Sequence, residues 1–179
     1  HHPRVRFVGN PVRITDAAQD DQPDKKPFRS EKIRILVTGG SQGATSINRA
    51  FVEALTLLKN PGDFEIIHQT GIQDEAEIRQ KYLDLGIDAT VQAFFQDMPH
   101  IQATAHIAIT RSGAGIVSEL CAHGLPAILI PFPHAADDHQ THNARALADA
   151  GGALMIQDSE LSGRILKQTL ENLLSDQTR

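Results

Sequence analysis

Residues 111–120, RSGAGIVSEL, hold one carboxylate, Glu119, within an otherwise apolar helical pattern. If Ser112 caps this helix, the backbone N–H groups of the first turn remain as donors and attract an anion. Side chains on a helix lean toward its N-terminus, so Glu119, two turns after Ser112, projects back toward the start. Gly115, between them, leaves the groove open. The spacing predicts a nucleoside diphosphate site, with phosphates at the helix start and ribose hydroxyls on Glu119. The alternative is an ion pair between Glu119 and a nearby Lys or Arg.

A second loop of unusual composition is GGSQGA, residues 39–44, which follows a buried-type strand. Its glycines let a ligand approach the backbone, and the next helix offers free N–H groups to an anion. Ser41 and Gln42 can both donate to phosphate or sugar oxygens. The spacing is neither the GxGxxG of dinucleotide-binding proteins nor a P-loop, since no Lys-Ser/Thr follows. The alternative is a tight turn that needs glycine for steric reasons alone.

The third loop, PFPHAADDHQTHNA at residues 131–144, is rich in potential metal ligands. No HExxH or comparable pair on one helical face is present, so we expect no metal here. Gln140 and Asn143 lie together on the first turn of the next predicted helix. Because an amide offers both a donor and an acceptor, this pair suits the hydroxyls of a sugar. The potential metal ligands in this loop are His134, Asp137, Asp138, His139 and His142.

Alternating strands and helices must position these three loops. From residue 33 onward, short apolar runs alternate with helical spacing, which predicts an α/β fold: a Rossmann-like parallel sheet with helices on both faces. Ligands of such sheets bind beyond the carboxyl ends of the strands. Each of the three loops directly follows a predicted strand, so all three are expected at this edge. The predicted strands are 4–9, 33–38, 64–69, 89–95, 106–110, 126–132 and 153–157, and the predicted helices are 45–58, 73–85, 97–104, the segment that carries Glu119, 140–150 and 160–174.

Length and composition narrow the class of protein. The 179 residues fit one domain with a sizeable core, and a net charge of −5 argues against a nucleic-acid partner. No apolar run reaches the length of a membrane span, and residues 1–30 lack the apolar region of a signal peptide. The single cysteine, Cys121, fits a reducing cytoplasm and is predicted to be a buried helix residue. The chain has no initiator Met, and His1-His2 could be a tag remnant, so we expect a piece of a longer protein.

Five motifs in order resemble the MurG family, the N-acetylglucosaminyltransferases of peptidoglycan synthesis. They are GNPVR (9–13), GGSQGA (39–44), RSGAGIVSE (111–119), GLPAILIPFPHAADDHQTHNA (124–144) and the turn at 147–153. The resemblance implies the C-terminal, donor-binding half of a two-domain GT-B glycosyltransferase. It divides the chain into an interdomain strand and GNPVR turn (1–15), a polar loop (16–32) and a Rossmann-like domain that binds UDP-GlcNAc (33–179).

The resemblance also implies a role for individual residues in binding UDP-GlcNAc. By this resemblance, Arg13 and Ser41 contact the diphosphate, and the helix start formed by Ala114, Gly115 and Ile116 faces the donor. Glu119 holds the ribose, and Phe95 meets the uracil through its backbone. Gln140 and Asn143 recognise the GlcNAc hydroxyls.

The reaction that the resemblance implies is transfer of GlcNAc, with inversion, to lipid I to form lipid II. It implies no cofactor and no metal. The catalytic base and most of the surface for the acceptor and the inner face of the cytoplasmic membrane would lie in an N-terminal domain, so residues 1–179 are expected to bind the donor without turning it over. Two alternatives remain: another UDP-sugar GT-B enzyme, such as a UDP-GlcNAc 2-epimerase, or a non-catalytic nucleotide-sugar-binding module.

Overall fold

The computed structural model describes residues 9–12 and 32–176. The strand expected at 4–9 and the loop expected at 16–32 lie almost entirely outside the described residues. The six strands are β1 (Ile33–Thr38), β2 (Phe64–Gln69), β3 (Ala89–Gln92), β4 (Ile107–Thr110), β5 (Ala127–Leu129) and β6 (Ala153–Met155). The six α-helices are α1 (Thr45–Leu57), α2 (Glu75–Asp84), α3 (Met98–Thr104), α4 (Ala114–His123), α5 (His139–Asp149) and α6 (Gly163–Asp176).

The strands form one parallel sheet in the order β3-β2-β1-β4-β5-β6. The strands β1, β2, β4 and β5 each lead through a crossover to the strand beside them, whereas β3 leads back to β4 on the other side of β1, so the direction along the sheet reverses there. This reversal places the loops after β1 and β4 next to each other at the carboxyl edge, the usual ligand position in such sheets. The predicted Rossmann-like fold class is therefore confirmed.

Alternate residues of the central strands pack on opposite faces of the sheet, as strand geometry requires. Ile35 and Val37 belong to a core with α1, α2 and α6, whereas Leu36 belongs to a second core with α4 and α5. Strands buried on both faces read as continuous apolar runs, which is why β1 was recognisable.

Several strands end earlier than their apolar runs predict. β3 ends at Gln92 rather than at residue 95, because the backbone N–H of Phe95 donates to the side chain of Gln69 instead of to a neighbouring strand. β5 ends at Leu129, although the N–H of Ile130 still donates to Thr110 O at 2.8 Å. The apolar residues beyond these ends belong to the loops at the carboxyl edge.

Cys121 corrects a prediction, because its side chain is exposed rather than buried. The buried face of α4 carries Leu120 and His123, and Cys121 lies about 100° around the helix from Leu120. Among the described residues, no helix combines the length and the apolarity that a membrane span requires.

Candidate functional site

A cleft of about 730 Å³ opens at the carboxyl edge of the sheet, between the loops that follow β1 and β4. Four of the predicted site residues line it together: Ser41, Ile116, Glu119 and Gln140. Other lining side chains, which the sequence did not single out, are Gln69, Phe94, Met98, Arg111 and Phe132. The cleft therefore combines the glycine loop, the start of α4 and the start of α5.

The glycine loop forms one wall of the cleft, and its backbone packs tightly against the backbone of residues 70 and 71. Gly43 has a φ of +79°, and a Cβ on it would lie 2.0 Å from Thr70 O. Gly71 faces it, and a Cβ there would lie 2.3 Å from Gln42 O. Glycine is therefore required at both positions by backbone contact as well as by conformation. The steric alternative for this loop holds for Gly43, while Ser41 and Gln42 remain exposed toward the cleft.

The amide of Gln69 connects this loop to the next two strands. Its Nε2 donates to Gly40 O at 2.9 Å and to Thr38 Oγ1 at 3.2 Å. Its Oε1 accepts the N–H of Phe95 at 2.9 Å. One buried side chain thus joins the ends of β1, β2 and β3.

Two helices begin at the cleft with uncapped N-termini. The N-cap residue of α1 is Ala44 and that of α4 is Gly113, and no described side chain caps either helix. Each helix start attracts an anion by about 0.3–1 kcal/mol through its dipole, and the free N–H groups can donate directly to anionic oxygens. Two such starts on adjacent strands make this end of the cleft suited to a diphosphate.

Ser112 corrects a second prediction, because it does not cap α4. Its side chain is fully buried, and its hydroxyl donates to the backbone carbonyl of Gln140 at 2.8 Å. The Gln140 side-chain oxygen accepts the N–H groups of Ser112 and Phe132, at 3.2 and 3.0 Å, and Asn143 Nδ2 donates to Ser112 O at 3.0 Å. The amide pair predicted for a sugar therefore also locks the strand end before α4 to α5.

Glu119 lies on the cleft side of α4, half-buried, as the helical lean predicts. Its Oε2 accepts a hydrogen bond from Gln102 Nε2 at 2.8 Å. Within residues 9–12 and 32–176, no basic side chain lies within ion-pair distance of its carboxylate. The alternative of a Lys or Arg partner is therefore wrong for the described part of the chain, and the carboxylate still has acceptor capacity facing the cleft.

Gln102 itself is fully buried, and the other end of its amide is unusual. Its Oε1 has no hydrogen-bond partner among the described residues. An unsatisfied buried acceptor costs about 1–3 kcal/mol. Among the residues that the structure describes, one contact alone orients the buried amide, the one with Glu119.

Arg111 contributes a cation whose charge is already balanced. It pairs with Asp158 at 2.5 Å, and the two side chains are 13% and 19% exposed. Its guanidinium also donates to Ser46 Oγ and to the carbonyls of Ile130 and Pro131, and it lies over the ring of Phe132. This network joins the start of α1, the end of β5 and the segment before α6 behind the cleft.

The family comparison agrees with this architecture. Residues 34–179 match the model of the glycosyltransferase family 28 C-terminal domain. The chain belongs to this family. A relative from Marinobacter nauticus, named UDP-N-acetylglucosamine--N-acetylmuramyl-(pentapeptide) pyrophosphoryl-undecaprenol N-acetylglucosamine transferase, is 40% identical over 98% of this chain and 48% of its own length. A protein of the same name from Xanthomonas euvesicatoria is 43% identical over 96% of this chain and 40% of its own length.

Among solved structures, MurG of Acinetobacter baumannii superposes with a TM-score of 0.74 at 34% identity, covering 89% of this chain and 44% of that one. The chain spans about half the length of the curated relatives it matches. The resemblance to the MurG family and the expected C-terminal half of a GT-B glycosyltransferase are thereby confirmed.

Several predicted residues of this family 28 domain lie outside the cleft lining. Ala114 and Gly115 are exposed on the first turn of α4, and a Cβ on Gly115 would meet nothing within 4 Å. Phe95 is buried with its N–H bonded to Gln69, which leaves its carbonyl as the backbone group that could meet a base. Arg13 lies outside the described residues, but Asn10 of the same motif donates to Ser118 Oγ at 3.0 Å on α4.

The loop at 131–144 holds several side chains of metal-ligand type. Within the described ranges, no three His, Cys, Asp or Glu side chains are grouped in a way that could hold a metal ion. His139 Nδ1 lies 2.7 Å from Ala136 O, and the ring of His134 packs on Phe132. Asp137 and Asp138 both have a positive φ, 50° and 51°, and shape the turn before α5.

Behind the glycine loop, a buried polar chain runs from α1 to α2. His68 Nε2 lies 2.9 Å from Asn48 Oδ1, and its Nδ1 lies 2.8 Å from the Tyr82 hydroxyl. Asn48 Nδ2 in turn donates to Thr70 O and Asp74 Oδ2. Burial lowers the pKa of His68 to about 3, although the negative charge of Asp74 acts in the opposite direction. The neutral imidazole therefore donates to Asn48 and accepts from Tyr82.

Proposed function

We propose that the cleft binds UDP-GlcNAc and that this domain is the donor-binding half of an enzyme that transfers GlcNAc to lipid I. The observation that carries the proposal is the uncapped start of α4 with the Glu119 carboxylate about one and a half turns further along the same cleft. It is supported by the names of the relatives, which are N-acetylglucosamine transferases.

The diphosphate would lie at the helix starts. The N–H groups of Ala114, Gly115 and Ile116 would donate to its oxygens, together with Ser41 of the glycine loop and Arg13. Positive partial charge from two helix starts balances an anion without a metal ion. The same donors would stabilise the negative charge that develops on UDP as its bond to the sugar breaks, which is where electrostatic stabilisation lowers a barrier.

The nucleoside would extend from the diphosphate along α4. Glu119 would accept hydrogen bonds from the two ribose hydroxyls, since its carboxylate faces the cleft with free acceptor positions. Beyond it, Phe94 is 55% exposed and lines the cleft beside Met98. These apolar side chains would contact the uracil ring, and the Phe95 backbone carbonyl would meet its edge.

The GlcNAc moiety would lie toward α5. Gln140 lines the cleft there, and Asn143 follows one turn later. The Gln140 oxygen already accepts two backbone N–H groups, so its NH₂ group is the part that can donate to a sugar hydroxyl. Asn143, whose Nδ2 donates to Ser112 O, would offer its carbonyl oxygen.

Transfer with inversion requires that an acceptor hydroxyl attack C1 of GlcNAc while UDP leaves and a base removes the hydroxyl proton. We place that base and the lipid-facing surface in the half of the relatives that this chain does not span. The lipid acceptor would bring the whole protein to the inner face of the cytoplasmic membrane.

Isothermal titration of the 179-residue chain with UDP-GlcNAc, UDP and UTP tests the proposal. UDP-GlcNAc and UDP should bind, and UDP-GlcNAc should remain intact when incubated with the chain and a lipid I analogue. If none of the three produces heat at millimolar ligand, the proposed donor site is wrong.

A further inference from the structure

We propose that Gln102 is a positioning residue, which holds the Glu119 carboxylate in the orientation that reads the ribose hydroxyls. The inference rests on the proposed binding of a uridine nucleotide and adds a residue to it. Gln102 lies on α3, packed against α4, and does not line the cleft. It reaches the ligand only through the hydrogen bond from its Nε2 to Glu119 Oε2.

The orientation of the Gln102 amide follows from this one contact. If the amide were rotated by 180°, its carbonyl oxygen would face the carboxylate, and two acceptors would repel each other. The observed rotamer instead leaves the carbonyl oxygen buried without a described partner. A side chain such as methionine would fill the same space with no unsatisfied acceptor. The amide is therefore not explained by packing or stability, whereas a role in orienting Glu119 explains it.

The hydrogen bond also determines which part of the carboxylate is available. A carboxylate has about four acceptor positions, and Gln102 occupies one of them on Oε2. Oε1 and the second position of Oε2 remain for a pair of neighbouring hydroxyls. Without Gln102, the Glu119 side chain would regain its rotamers and would have to be ordered by each ligand.

The test compares UDP with 2′,3′-dideoxy-UDP, which lacks the hydroxyls that Glu119 would hold. Binding of both to the 179-residue chain is measured by isothermal titration for the wild type and for Gln102→Met. Freeing one flexible side chain corresponds to about a 2- to 10-fold loss in affinity, so UDP should bind Gln102→Met that much more weakly. Binding of the dideoxy analogue should stay within about 2-fold, because it makes no use of Glu119.

A thermal melt separates positioning from folding. Gln102→Met should melt at the wild-type temperature or above it, since the substitution removes an unsatisfied buried acceptor. Gln102→Leu provides a second apolar variant should methionine pack poorly. In a Glu119→Gln background, Gln102→Met should no longer change the ratio of the two affinities, because the group that it positions has lost its charge.

The outcomes test the proposed ribose contact of Glu119 and the positioning role of Gln102 separately. If the wild type binds UDP and the dideoxy analogue equally, the proposed ribose contact fails. If the wild type prefers UDP and Gln102→Met prefers it to the same extent, the ribose contact stands and the role of Gln102 is refuted. An equal loss for both ligands would show a purely structural role and would also refute it.

Discussion

Replacing Glu119 by glutamine removes the charge of the proposed ribose contact while keeping the size of the side chain and an acceptor for Gln102. A hydrogen bond to a charged group contributes about 1.5–3 kcal/mol, so UDP should bind the variant about 10- to 100-fold more weakly. The dideoxy analogue should lose little. Isothermal titration of both nucleotides measures the difference.

Charge balance alone predicts the opposite change in affinity, tighter binding of UDP by Glu119→Gln, so the experiment distinguishes the two effects. Removing a negative charge from a cleft that binds a diphosphate should strengthen binding. Glu119 lies five residues beyond Ala114, or about 8 Å along the helix axis. At that distance two unit charges in an aqueous environment interact by about 0.5 kcal/mol, and salt reduces this further. The hydrogen-bond loss is larger, so weaker binding of UDP should prevail.

Asp88→Asn is a matched control, because it makes the same change of charge at an exposed residue before β3, on the opposite edge of the sheet. It should leave both affinities unchanged. Should Glu119→Gln bind UDP as tightly as the wild type or more tightly, the carboxylate does not hold the ribose. The proposed orientation of the nucleotide along α4 is then wrong.

Three further predictions concern the stability of the structure around the cleft. Gly43→Ala should lower the free energy of unfolding by about 2–5 kcal/mol in urea denaturation, from left-handed strain and overpacking against the neighbouring backbone, whereas Gly62→Ala, with open space around it, should change it little. Arg111→Met should cost about 3–5 kcal/mol in the same assay by leaving Asp158 uncompensated, and Asp158→Asn in addition should recover part of the loss. Because His68 is neutral in the fold and protonates near 6.5 when unfolded, stability should fall by about 1.5–2 kcal/mol as the pH decreases from 6.5 to 5; a His68→Gln variant that shows the same slope would contradict this.

The parts of the fold that were predictable from sequence are those that depend on local patterns. β1 and α1 were predicted almost to the residue, because a fully buried strand, a glycine turn and an amphipathic helix follow one another. The direction of Glu119 was also predictable, since the lean of helical side chains does not depend on the rest of the fold.

The errors and omissions concern contacts between distant segments. Ser112 has the type and position of a helix cap, but packing of α5 against it offers its hydroxyl the carbonyl of Gln140. Gln102 and Glu119 are on different helices, and Arg111 and Asp158 are 47 residues apart. No spacing rule connects such pairs, because the packing of the helices and the order of the strands bring them together.

Gln69 holds three strand ends together through hydrogen bonds within the protein itself. A molecule that enters this side of the cleft therefore meets a preorganised backbone, and its contacts there would not be offset by the entropy of fixing loops. The opposite side, where the turn at Asp137 and Asp138 leads into α5, has two non-glycine residues with positive φ. The hydrogen bonds of Gln140 and Asn143 to Ser112 fix the start of α5 as well, so a ligand would meet a preorganised surface on that side too.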